Sequence, residues 1–67
     1  MSKVVVKYKN GNMLIYTAWK GTVEIDDNVL SFQNYHSNGM VMIYVSSLEY
    51  VAVDDVILLE NSEKVGE

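Results

Sequence analysis

One histidine, no cysteine and two pairs of adjacent aspartates are the residues of this chain best equipped to act on a substrate. Hydrolysis needs a nucleophile, a base that orients it and a site for the developing oxyanion. The only imidazole, His36, lies in the polar stretch Gln33-Asn34-Tyr35-His36-Ser37-Asn38-Gly39, and Ser31, Ser37, Ser46 and Ser47 supply hydroxyls. None of these serines sits in a Gly-x-Ser-x-Gly elbow. A solitary loop histidine reads as a solvated surface residue. The pairs Asp26-Asp27 and Asp54-Asp55 cannot converge on one substrate from an extended chain, because neighbouring side chains point to opposite faces. They read as turn residues. With no thiol, no glycine-rich phosphate loop and a single imidazole, the residues predict no enzyme, no metal site and no cofactor.

Recognition is better supplied than catalysis. Five Tyr, one Trp and one Phe in 67 residues exceed what so small a core needs, and Met13, Met40 and Met42 add adaptable apolar contact. The excess predicts a binding surface around Trp19, Tyr35, Met40, Met42 and Tyr44, engaging a protein or a sequestered small ligand. A second reading rests on charge. The net charge is −4, yet residues 1–20 hold Lys3, Lys7, Lys9 and Lys20 and no acid, while all nine acids follow with only Lys64. These lysines, with Tyr8 or Tyr16 as stacking platforms, predict a nucleic-acid or nucleotide site as the alternative. The plainer account is that basic strands lie beside acidic ones.

The elements that must carry these residues are strands. Short runs of Val, Ile, Leu, Tyr and Met are divided by Asn10-Gly11, Lys20-Gly21, Asp26-Asp27-Asn28 and Ser37-Asn38-Gly39, and no proline interrupts them. Val4, Val6 and Tyr8 share one face of a first strand, and Asn10-Gly11 returns residues 12–19 beside it. In that second strand Leu14, Tyr16 and Ala18 oppose Met13, Ile15, Thr17 and Trp19. Both faces are apolar, which predicts a central or covered strand. Trp19 then stands outside the interior at a strand end, or else the chain twists and Trp19 plugs the core. A third strand over 22–26 follows, with Val23 and Ile25 inward, and a fourth over 29–33, with Leu30 and Phe32 inward. Met40 to Val45, apolar on both faces, predicts a buried central strand or one in an interface. Residues 46–60 admit a helix behind the capping box Ser46-Ser47-Leu48-Glu49. Their β-branched content favours a 3-10 turn at 46–49 and strands at 49–53 and 56–60.

The reading is therefore all-β: a small antiparallel meander or a five- to six-stranded barrel over residues 1–60, with a flexible acidic tail at 61–67. A chain of this length has a thin core and lacks disulfide or metal support, so self-association into a homo-oligomer is the expected reinforcement. The N-terminus shows no secretory h-region, and Val56-Ile57-Leu58-Leu59 is too short to span a bilayer, which predicts a cytoplasmic protein with no membrane partner.

The order of Asn10-Gly11, Gly21, Asp26, Asn28 and Leu30, then Ser46-Ser47-Leu48 before a last strand, resembles the small barrels of the SH3-like and Sm-like families. The resemblance spans about residues 3–53 and implies the barrel alone. Sm-like proteins open with a helix and place a base-binding Asn further beyond the Asp. Here Val4-Val5-Val6 opens the fold and Asn28 follows Asp26 by two residues, so no RNA-pocket residue carries over.

Overall fold

Residues that accept a positive φ set the corners of the fold. Asp27 and Asn28 (φ 51° and 69°) and Asp54 and Asp55 (φ 50° and 70°) each form a two-residue hairpin loop, between the pairs Asp26–Val29 and Val53–Val56. Positive φ at both central positions is the primed turn whose twist matches that of paired strands. Asp54 and Asp55 are both turn residues, as the sequence predicts, whereas of Asp26-Asp27 only Asp27 is, Asp26 being the last residue of the strand before it. Asn10-Gly11 works differently. The Tyr8 carbonyl accepts from Gly11 N–H at 2.9 Å, Gly11 takes φ 98°, and Tyr8 N–H reaches the Asn12 carbonyl at 2.8 Å. The turn is closed at its fourth residue, Gly11, which is also the extra residue of a bulge opposite Tyr8.

The computed structural model describes residues 1–61. Its strands are β1 (Ser2–Tyr8), β2 (Met13–Ala18), β3 (Glu24–Asp26), β4 (Val29–Gln33), β5 (Met40–Tyr44), β6 (Leu48–Val53) and β7 (Val56–Glu60), with a 3-10 turn at Val45–Ser47. They form two antiparallel sheets, in the order β2-β1-β6-β7 and β3-β4-β5. Alternation decides what each buries. Val4 and Val6 of β1, Leu48 and Val51 of β6, and Leu30 and Phe32 of β4 point between the sheets and are fully buried. Tyr16 of β2 meets Phe32 edge-on, with ring centroids 5.3 Å apart, so one aromatic pair joins the two layers.

No barrel closes, and there are seven strands in place of five or six. The sheets touch through backbone at one corner. Ala18 bridges Asn34, Trp19 N–H donates to the Gln33 carbonyl at 3.0 Å, and Tyr35 N–H donates to Thr17 at 2.8 Å. The chain thus leaves β2, turns over residues 19–22 and runs back along the same side of β4 as β3. That third strand is shorter than the expected 22–26, because Thr22 is held in the turn, and its three residues are all exposed, Ile25 included. Two other expectations change. The strand at 12–19 is an edge, not a central or covered strand, and β5 is an edge too, not a buried one. Val45 leaves β5 to begin the 3-10 turn and is buried there.

The region 46–60 holds no α-helix: the 3-10 turn covers Val45–Ser47 in place of 46–49, β6 begins at Leu48, one residue before the expected 49, and β7 has the expected bounds 56–60. The expected tail lies outside the described residues except Asn61. Its N–H donates to the Glu49 carbonyl at 2.7 Å, and its Nδ2 donates to the Leu48 carbonyl at 3.3 Å. Among the described residues no helix is long and apolar enough to cross a membrane.

Candidate functional site

Leu30 and Phe32 face inward, so Val29, Ser31 and Gln33 face outward, and the register carries that outward face across the whole three-stranded sheet. Tyr44 lies opposite Val29, Met42 opposite Ser31 and Met40 opposite Gln33. On the other side Glu24 lies opposite Ser31 and Asp26 opposite Val29. The inward residues of β5, Val41 and Ile43, pack on the core. Met40, Met42 and Tyr44 do not: they are 60%, 69% and 70% exposed in a row along an edge strand.

The corner joins Trp19 to the same face. Because Ala18 bridges Asn34, Trp19 lies across from Gln33, which in turn lies across from Met40. Tyr35 is the diagonal neighbour, and its ring packs on the Trp19 indole with centroids 4.7 Å apart. Gly21, at φ 82°, lets the chain turn here. Thr22 then fastens it: its hydroxyl donates to the Trp19 carbonyl at 2.6 Å and accepts from Gln33 N–H at 3.2 Å. Trp19 is 43% exposed, on the outside, and does not plug the core. All five residues selected from sequence therefore lie on one face. Gln33 and Thr22, which tie Trp19 to it, are not visible as such in the sequence, where Lys20-Gly21 signals the turn and Thr22 reads as strand.

His36 is exposed at the rim. Its N–H donates to Asn34 Oδ1 at 2.9 Å and its ring meets Tyr35 edge-on at 5.4 Å. Among the described residues no cluster of three His, Cys, Asp or Glu could hold a metal ion.

The lysines divide. Lys3 and Lys7 stand on the outer face of β1, where Lys3 Nζ lies 3.7 Å from Asp55 and Lys7 Nζ 3.8 Å from Glu49. Lys9 follows β1 into the first hairpin, and Lys20 follows β2 at the opposite end of the sheet. Tyr16 is turned toward Phe32, and burial first, then the neighbouring Tyr8 phenol, raises its pKa. Tyr8 lines an open cleft of about 370 Å³ with Asn10, Asn12, Met13 and Leu14. Near the other end of β1, Asp54 accepts the Lys3 N–H at 2.9 Å, and that hydrogen bond is the main reason its carboxyl titrates below its ordinary range.

Chemically, the outer face of the three-stranded sheet offers a flexible apolar row with a stacked aromatic pair at one end and two carboxylates on the far strand. It has no nucleophile held by a base. Comparison with protein-family models, with curated proteins and with solved structures gives no match, so the chain stands as a small antiparallel all-β fold without a family to lend it a function.

Proposed function

We propose that this protein is a non-enzymatic binding module whose contact surface is the outer face of the three-stranded sheet, used on a protein partner by a chain that also self-associates. The observation that carries the reading is the row Met40, Met42 and Tyr44, which stays exposed on an edge strand while the same strand buries Val41 and Ile43. Large apolar side chains in water are unfavourable, and edge strands invite pairing. The favoured partner is an extended segment that lies along β5, with apolar side chains over Met42 and the Trp19–Tyr35 pair. Glu24 and Asp26 favour a basic residue at its rim.

The test compares proteins retained by the immobilised wild-type chain and by Met42→Glu, with thermal melts of both. A set retained by the wild type and reduced about tenfold by Met42→Glu, with melts unchanged, is the expected result; tenfold is 1.4 kcal/mol of binding. Equal retention overturns the reading. Retention of RNA or DNA that survives Met42→Glu and collapses with rising salt also overturns it, in favour of the lysines.

A further inference from the structure

The four-stranded sheet has two outer edges, and they differ in charge. Residues 1–20, which hold β1 and β2, carry four lysines and no acid, whereas residues 48–60, which form β6 and β7, carry Glu49, Asp54, Asp55 and Glu60 and no base. Lys3–Asp55 and Lys7–Glu49 join the two halves internally. At the edges themselves, Lys9 and Lys20 flank β2, while Asp54 lies in the turn before β7 and Glu60 ends it. Both edges are apolar between those charges. Ile15 is 65% exposed on one and Ile57 56% on the other.

The outer face of this sheet repeats the pattern across the strands. Ile15 lies opposite Val5, Val5 opposite Ala52, and Ala52 opposite Ile57. One apolar row thus crosses all four strands and ends in an exposed isoleucine at each edge. All the pairings are antiparallel and the strand count is even, so β2 and β7 run in opposite directions.

We propose that copies of this chain join head to tail, the β7 edge of one pairing antiparallel with the β2 edge of the next over Met13–Tyr16. Opposed strand directions let the next copy attach with the same face outward, so that Ile57 meets Ile15 of the next copy and the apolar row continues. The acidic turn at Asp54 then lies toward the end marked by Lys20 of the next copy, and Glu60 toward Lys9 of the next copy. The two-fold alternatives do the reverse. Pairing β7 with β7 sets Glu60 against the other copy's acidic turn, and pairing β2 with β2 sets lysines together. Thr17 is outside the joint because its carbonyl already serves Tyr35. A heterologous joint leaves one edge open at each end, so assembly proceeds past two copies to a ring or a filament. This inference rests on the self-association part of the proposed function and not on the partner face.

The chain has no cysteine, so engineered thiols report cleanly. Opposed strand positions fall within disulfide range. Ile57→Cys mixed with Ile15→Cys in a glutathione buffer is expected to give the mixed disulfide about tenfold over either self-disulfide, the ratio that 1.4 kcal/mol of preference produces. Light scattering of the wild-type chain at tens of micromolar is expected to show masses beyond a dimer. Ile57→Cys bridging chiefly to itself, or a mass that stops at two chains, overturns the head-to-tail joint. A mass of 7.6 kDa at all concentrations overturns self-association itself, while leaving the Met42→Glu comparison to judge the partner face.

Discussion

In the four-stranded sheet, each lysine on β1 has an acid beside it, and β1 and β6 are paired on both sides. The three-stranded sheet contains no cation, has only β4 paired on both sides, and leaves Met40, Met42 and Tyr44 in water. Both sheets are built from alternating strands, and each has one hairpin closed by the same primed turn, Asp27-Asn28 in one and Asp54-Asp55 in the other. The difference teaches that a strand's surface is decided by its neighbours more than by its own alternation. β1 and β6 bury Val4, Val6, Leu48 and Val51, and that sheet supplies most of the core. The other sheet contributes Leu30 and Phe32, packs Val41 and Ile43 against them, and leaves Ile25, Met40, Met42 and Tyr44 on the surface.

The comparison breaks most sharply at Phe32, where the sheets depend on each other. Phe32→Ala is expected to cost about 3–5 kcal/mol, as large aromatic truncations in cores do. A domain of this length has about 3–10 kcal/mol in total, so urea titration should find the variant largely unfolded. A loss under about 1 kcal/mol would show that the layers are not jointly stabilised. Trp19→Ala sits on the same sheet's outer side and should behave differently. Losing the stack on Tyr35 costs the fold about 0.5–1.5 kcal/mol. Partner binding should weaken by about 2 kcal/mol or more, as at an interface hot spot. Thermal melts beside binding titrations separate the two; a melt collapsing as far as that of Phe32→Ala would make Trp19 a core residue.

Smaller effects compare the two primed turns directly. Asp55→Gly should raise stability by about 0.5–1 kcal/mol, because glycine takes φ 70° freely and the exposed Lys3 contact it removes contributes little. Asn28→Gly, at φ 69° in the other sheet, should gain less, since asparagine already tolerates that region. Equal gains in paired denaturation curves would show that residue preference is not what distinguishes these turns. The smallest effect concerns acid. Asp54 has a lowered pKa when folded, chiefly from the Lys3 N–H, so its contribution is present above about pH 4 and fades as pH falls through the folded value. Asp54→Asn should flatten the acid limb of a stability-against-pH curve below about pH 4, by slightly lowering the plateau above it while leaving the acid end where it was. An unchanged acid limb would mean that the hydrogen bond does not favour the ionised form.

Much of this was legible one segment at a time. The turns at 10–11, 26–28 and 54–55 carry residues that tolerate positive φ, and the inward sets Val4/Val6 and Leu30/Phe32 follow from period-two alternation. The grouping of Trp19, Tyr35, Met40, Met42 and Tyr44 was legible as an excess of aromatic and Met side chains. Their common face was not: it depends on the Ala18–Asn34 bridge and on Thr22 holding the turn, contacts across 16 and 11 residues of chain. For β2 and β5, two apolar faces predict cover, and the structure leaves both strands at edges.

Local chemistry by itself determined the strand content, the turns and the side of each strand that is buried, because φ preference and side-chain alternation act over two to four residues. Only the tertiary structure decided that β1 lies between β2 and β6, that the sheets meet at one corner without closing, and which apolar faces stay in water. Those outcomes depend on pairing β1 with residues 48–53, far along the chain. Hydropathy states that a face favours burial and is silent on which surface buries it.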